Sequence, residues 1–383
     1  MAFLEDAALD DVEALARLDC SDSLLALARS GAQVRRAVVA AQESGIERVA
    51  SGERPRAVLL AALGGSSVVG EVLDLLTEPS SPVPVTTRRD GPLPGWVGPL
   101  DLVIAVSQSG YAMGPVALAA EAARRGASLL TVGAADSPLA EACARGRGVH
   151  VTPALPAPSS RTALWSLLTP VLMAAHQLGL ASCDVATLDQ VADVLDQVAT
   201  DCRPSSESFV NPAKGLALRL GERVPVVLGD GELTGVAASR AAAMLARTAR
   251  VPATHGWLPD AAAQVVACLE GPFGAAGGHP ASGEGESSAQ DDIFADPYLD
   301  APPGPNLGLL LLRDPALEAR QRDVAESVAE RARTAGVTLH EEVAREGHPL
   351  VRLASLIGLT DFAATYLALG SGLDPTGTAA FSR

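Results

Sequence analysis

Apolar positions along this chain follow two rhythms that take turns. Over residues 4–50 they recur at helical spacing, and "SLLALARSGAQVRRAVVAAQES" keeps one apolar face broken once by Gly31. Beyond that, short continuous apolar runs alternate with helical lengths. The runs "AVLLAAL" (57–63), "DLVIAVS" (101–107), "SLLTVG" (128–133) and "GVHVTP" (148–153) are bounded by Gly, Pro or Asp. A strand that is apolar at successive positions, rather than at alternate ones, is covered on both faces, as in a parallel sheet flanked by helices. A second set repeats the pattern: "VPVVLGD" (224–230), "RVPATHG" (250–256), "NLGLLLLR" (306–313) and "GVTLHEEV" (336–343). The pattern predicts an α/β protein with two similar halves.

Between the halves, residues 161–200 read as two helices, the second being "DVATLDQVADVLDQVATDC", and "RPSSESF" marks a boundary. Three regions follow: a helical segment at 1–50 packing on the core, a first domain with its linking helices at 51–203, and a second domain at 204–383. Within the last, residues 275–305 are rich in Gly, Pro, Ser and Asp and poor in core formers, so a mobile insertion is expected there. The length of 383 residues, 48% of them hydrophobic, suits two cores.

Charge and composition narrow the partners. A net charge of −16 argues against a nucleic-acid partner, which is bound by clustered cations. The apolar stretch "LWSLLTPVLMAAHQLGL" is interrupted by Ser166, Thr169, Pro170, His176 and Gln177, and the N-terminus has neither the basic end nor the apolar core of a secretion signal. No membrane partner is expected, and the chain reads as cytoplasmic. His176, on an apolar helical run, is expected in the core or at an interface. Lys214 is the one lysine among 29 basic residues, so chemistry requiring a lysine elsewhere is excluded. Cys20, Cys143, Cys183, Cys202 and Cys268 lack C-x-x-C spacing, so they read as buried thiols, with no zinc site and no disulfide framework.

Candidate chemistry sits at the ends of the predicted strands. "LGGSSVVGEVL" (63–73) is a strand end, a Gly-Gly turn, two serines and a helix start, without the G-x-G-x-x-G spacing of a dinucleotide site. "SQSG" (107–110) repeats that chemistry after the next predicted strand. Hydroxyls, close backbone approach and the positive end of a helix dipole suit an anion, and neighbouring parallel strands bring both turns to one rim. Each turn alone reads equally well as a capped βα junction. Neither a metal nor a cofactor is implied.

These segments, with "PSSRTAL", "NPAKGLALRLGERVPVVLGDGELTGVAASRAAAML", "ARVPATHGWLPD" and "RLASLIGLTDFAATYLALGSGLDPT", resemble sugar isomerase (SIS) domain proteins, in particular the bifunctional phosphoglucose/phosphomannose isomerases. The resemblance covers most of residues 57–380 and implies two tandem SIS-type doubly wound domains, each a mostly parallel sheet flanked by helices, in a homodimer that binds a phosphorylated sugar. It places the phosphate at Ser107, Ser109 and Gly110, gives Gly65 and Ser66 to the sugar side, and makes Arg161 the cation that steadies an enediolate. Apolar helix in 161–181 and 349–372, beyond what one cleft needs, agrees with a dimer.

The same resemblance implies a glutamate base and a ring-opening histidine for interconverting glucose 6-phosphate or mannose 6-phosphate with fructose 6-phosphate. Aligned without gaps, those positions hold Arg247 and Ala263. Arginine cannot serve as the missing base at neutral pH and alanine has no acid–base chemistry. The C-terminal lysine implied by the resemblance also has no equivalent, and Arg383 keeps only its charge. His255 and Asp260 are the available substitutes, a loop histidine and a helix cap on the plainer reading. Two function classes follow: a sugar-phosphate-binding protein without proton transfer, or an isomerase with relocated groups.

Overall fold

The computed structural model describes residues 4–77, 81–274 and 306–377; the expected insertion at 275–305 lies outside them. Four helices open the chain: α1 (Asp6–Asp10), α2 (Val12–Leu18), α3 (Ser23–Ala28) and α4 (Ser30–Glu43). The first sheet comprises β1 (Val58–Ala62), β2 (Val85–Arg88), β3 (Leu102–Ser107), β4 (Ser128–Gly133) and β5 (Val149–Val151), with α5 (Val68–Thr77), α6 (Met113–Arg125) and α7 (Pro138–Arg145) between strands. All pairings are parallel, in the order β2-β1-β3-β4-β5. The sequence pattern missed β2, an edge strand of four residues that is half-exposed and preceded by Pro82 and Pro84, so it carries no apolar run.

Two helices, α8 (Leu164–Gln177) and α9 (Val185–Asp201), lead to the second half: α10 (Pro212–Leu220), β6 (Arg223–Gly229), α11 (Glu232–Met244), β7 (Thr254–Trp257), α12 (Ala262–Leu269), β8 (Asn306–Arg313), α13 (Ala319–Thr334), β9 (Thr338–Val343) and α14 (Pro349–Gly370). Its sheet is also parallel, ordered β7-β6-β8-β9. Dropping β5, this is the order of the first sheet. The two halves are thus tandem doubly wound α/β units.

Side chains along each strand alternate between two cores, as the two-residue period requires. Leu59, Ala61, Val103 and Ala105 pack on α6 and α7 at one face of the first sheet. Val226, Leu228, Leu309 and Leu311 pack on α12 and α13 at the outer face of the second. The remaining faces, through Leu60, Ile104, Val106, Val227, Leu310 and Leu312, share one large core with α5, α8, α11 and α14. The sheets therefore sandwich a common helical layer.

That layer corrects three expectations. The apolar surplus of α8 and α14 is not left for a second copy: nearly every residue of both helices is buried inside the chain. Among the described residues α14 is the one helix long and apolar enough to cross a membrane, and 89% of its apolar window is buried in the protein. His176, at the last turn of α8, is exposed rather than part of the core. The thiols also divide: Cys143, Cys183 and Cys202 are buried, whereas Cys20 and Cys268 are exposed, and all five are free.

Two buried cations in and beside this layer are each held by several acceptors. The fully buried Lys214 ammonium donates to Asp10 Oδ1 at 3.2 Å, Pro204 O at 2.9 Å and Ser206 O at 2.7 Å, tying the boundary segment to α10 and the N-terminal helices. The one lysine is thus structural. Deeper still, Arg240 of α11 makes a bidentate pair with Asp361 of α14, Nε to Oδ1 at 3.1 Å and Nη2 to Oδ2 at 2.9 Å. Burial pushes the Asp361 carboxyl up, and the guanidinium pulls it back.

Removing one member of such a pair strands the other in a dry core. Asp361→Ala should lose about 3–5 kcal/mol of folding stability in urea denaturation, whereas Arg240→Met with Asp361→Leu should lose less than the two single changes summed. Additive losses would show that the two charges are not coupled.

Candidate functional site

The order of the first sheet reverses between β1 and β3: one crossover leads outward to β2 and the next leads back past β1. At such a switch point the turns after the two strands diverge to opposite faces and leave a crevice at the carboxyl edge. The two turns singled out in the sequence occupy it. After β1, Gly64–Ser66 forms a single 3-10 turn closed by Ser67, whose Oγ donates to Gly64 O at 2.9 Å. Ser66 itself is buried beneath the turn.

After β3, the Ser107 hydroxyl is buried and accepts from Gly110 N at 3.1 Å and Ala112 N at 3.3 Å. The exposed Ser109 accepts from Tyr111 N at 3.3 Å. Each hydroxyl is held through its lone pairs and keeps its own proton to donate. Gly110 has φ +72, and a Cβ there would stand 2.1 Å from Ser137 Oγ, so only glycine fits this bend.

A third loop closes over both turns. Gln108 Nε2 donates to Ala157 O at 2.8 Å and so fixes the Ser159-Ser160-Arg161 segment. A Cβ on Gly65 would lie 2.5 Å from Ser160 Oγ and 3.4 Å from Arg161 N, so that segment rests directly on the Gly-Gly turn. The Arg161 guanidinium points toward the second half, donating to Arg247 O at 3.0 Å, Pro375 O at 3.1 Å and Thr376 O at 3.3 Å. It stitches three segments at the domain junction.

Sequence reasoning missed Arg240. Its guanidinium spans from Asp361 to Gly65 O, at 3.5 Å, and to Arg161 O. The position lies mid-helix in an alanine-rich run, and its carboxylate partner is 121 residues away, so no local pattern marks it.

Five arginines come together here. Burial, with Arg247 and Arg240 close by, lowers the Arg161 pKa, and burial, with Arg240 and Arg89, lowers that of Arg247. Arg250, which donates to Asp374 O and Gly377 O, adds to the positive field at Arg161. Arg247 lies in a π-helical turn, Leu245–Ala249, that continues α11, and a Cβ on Gly64 would stand 3.6 Å from its Nη1. Among the described residues nothing accepts a hydrogen bond from its guanidinium.

The other candidates lie apart. α11 returns from the carboxyl edge of the second sheet to its amino edge, so Arg247 and the exposed Asp260 sit at opposite ends of β7. His255 is exposed on that edge strand. Ala263 is on α12, at the outer face of the second sheet, where it lines a cavity of about 550 Å³ with Arg320 and Asp323. Arg247 follows α11 on the inner face. Within one chain the two positions do not share a cleft.

The second sheet has its own switch point, between β6 and β8, with different chemistry. There Asp230 accepts from Asp314 N at 3.0 Å and from Thr234 Oγ1 at 2.9 Å. The carboxylate takes the backbone amide an outside anion would seek, and burial raises its pKa. No described residues form a metal-binding group of His, Cys, Asp or Glu.

The first sheet has the order 2-1-3-4-5 and the second 2-1-3-4, each with its own switch point, which is the tandem doubly wound fold that the resemblance to SIS domain proteins implies. Residues 209–383 match the bacterial phospho-glucose isomerase C-terminal SIS domain. The chain resembles the bifunctional phosphoglucose/phosphomannose isomerases: the enzyme of that name from Caldicellulosiruptor bescii is 28% identical over 196 residues, which are 51% of this chain and 57% of that protein. The match thus spans little more than half of the relative.

Solved structures agree on the fold. A provisionally assigned phosphosugar isomerase from Silicibacter pomeroyi has a TM-score of 0.62 at 22% identity, covering 92% of this chain and 99% of its own. A hypothetical protein from Thermus thermophilus has a TM-score of 0.66 at 15% identity, covering 95% and 90%.

The bend at Gly110 gives a direct test. Gly110→Ala forces a left-handed residue with a side chain into Ser137, and should cost about 1–3 kcal/mol in urea denaturation. A loss below about 0.5 kcal/mol would mean that the turn relaxes freely and does not hold its serines in place.

Proposed function

We propose that this protein binds a phosphorylated sugar at the β1–β3 switch point and does not run the ordinary aldose–ketose isomerisation. The convergence of two hydroxyl-bearing turns beside five arginines, in a chain of net charge −16, carries the reading. The phosphate accepts hydrogen bonds from the Ser107 and Ser109 hydroxyls and lies near the positive end of α6, on the bend that Gly110 allows. The turn that carries Gly65 and Ser66 lies on the sugar side, with Ser66 supporting it from beneath. Arg161 acts as a positioning residue, because its guanidinium is already engaged by three carbonyls.

Isomerisation by proton transfer needs a base in reach of C1 and C2. Of the carboxylates at this junction, Asp361 is locked to Arg240, and Asp374 accepts from the Thr376 amide and hydroxyl. Position 247 presents a cation instead. A role for position 263 in this cleft would require a second subunit to deliver it, and we include in the proposal a homodimer in the cytoplasm.

Three measurements test the reading. Calorimetric titration with glucose 6-phosphate, fructose 6-phosphate and mannose 6-phosphate should show binding, and Ser109→Ala, which leaves the buried Ser107 in place, should weaken it about tenfold. Coupled assays of their interconversion should stay at background. Turnover at ordinary enzyme rates, lost on His255→Ala or Asp260→Asn, would instead establish an isomerase with relocated groups. Light scattering at micromolar concentration should give twice the mass of one chain; a monomer would remove the dimer.

A further inference from the structure

The arginines of the cleft are not equivalent. Arg240 is spent on Asp361 and two carbonyls, Arg161 on three carbonyls, and Arg250 on two. Arg247 and Arg89 remain, with no acceptor for either guanidinium among the described residues. Their positions differ in a useful way. Arg247 stands over Gly64, which lies in the same turn as Gly65 and Ser66. Arg89 follows β2, and its carbonyl packs so tightly on the first turn of α6 that a Cβ on Gly114 would lie 2.0 Å from it. Arg89 is therefore tied to the helix start behind the phosphate turn, yet its charge still reaches Arg247.

Arg247 and Arg89 are both exposed at the edge of the cleft, and two guanidinium groups repel each other when no anion lies between them. One phosphate on the Ser107–Gly110 turn leaves the charge over Gly64 unanswered. We propose that the cleft takes a sugar carrying two acidic groups: a phosphate on the serine turn and a second phosphate or carboxylate held by Arg247, with Arg89 adding to the field. The shared chemistry is a doubly anionic phosphosugar, either a bisphosphate or a phosphorylated sugar acid. The proposal rests on the phosphosugar reading of the same cleft.

The test compares three probes by calorimetric titration at fixed ionic strength: fructose 6-phosphate, fructose 1,6-bisphosphate and 6-phosphogluconate. At least one doubly acidic probe should bind about tenfold or more tightly than fructose 6-phosphate, as a charge-assisted contact supplies. Which one does so identifies the second acid. Its advantage should shrink to within about twofold in Arg247→Gln and be partly restored in Arg247→Lys. Circular dichroism checks that each variant folds, and the comparison on the unaltered protein stands without them. Equal affinity for all three probes overturns the proposal and leaves the phosphosugar reading in place. A preference that survives Arg247→Gln also overturns it. Binding of none of the probes overturns both.

Discussion

Everything in the cleft depends on one buried guanidinium. Arg240 rises from the second half, pairs with Asp361 of the central helix, and reaches the carbonyls of Gly65 and Arg161 in the first half. Ion pairs at this depth lose in desolvation much of what they gain in attraction, so net stability is a poor account of why one is kept. Placement is the better account. A hydrophobic pair would fill the same volume without deciding where the Gly-Gly turn and the Arg161 loop come to rest, whereas directed N–H groups fix both. Arg161 then extends the same logic outward, holding the π-helical turn and the segment at 375–376 through their carbonyls. The result is a chain of arginine-to-carbonyl contacts that turns two separate sheets into one site.

The two halves show how little a shared fold says about chemistry. Both have a switch point at the carboxyl edge of a parallel sheet. In the first, the strand ends in serines whose hydroxyls cap nearby amides and still carry a proton to give. In the second, the equivalent turn begins with Asp230, and its carboxylate already accepts from the amide of Asp314 and the hydroxyl of Thr234. An external anion arriving there meets a negative charge and an amide already taken. One half carries the serine turns, and the other brings Arg240, Arg247 and Arg250 to the edge of their crevice.

How far this was legible in the sequence depended on where the signal was local. Strands buried on both faces announce themselves as unbroken apolar runs, and "NLGLLLLR" and "SLLTVG" form strands over those same residues. β2 carries no such run because an edge strand has one neighbour and half its surface in water. Gly31, which reads as a defect in an apolar face, is where α4 crosses α9: a Cβ there would meet Asp196 Oδ1 at 2.1 Å. The serine turns drew notice because glycine and hydroxyls recur at the ends of two successive apolar runs, although each alone reads equally well as a helix cap. Arg161 was visible as a cation, but its acceptors are carbonyls 86 and 214 residues away, so its bridging role was not. Position 263 was paired with position 247 by counting along the chain, and a sheet lies between them.

The electrostatics of the cleft set a further condition on whatever enters it. A chain of net charge −16 repels anions at long range, but salt at physiological strength confines that repulsion to about 8 Å from each exposed charge. At the junction the balance reverses locally, because the buried Arg161 and Arg240 and the exposed Arg89, Arg247 and Arg250 gather positive charge at one place. Attraction is therefore a short-range property of the crevice rather than a field that steers from a distance. A compact anion that fits between the two turns gains the full benefit of the positive groups. An extended polyanion gains the same few contacts and must lay its remaining charges along an acidic surface. Small size and dense charge are thus favoured together, and both follow from placing unpaired arginines where the two domains meet.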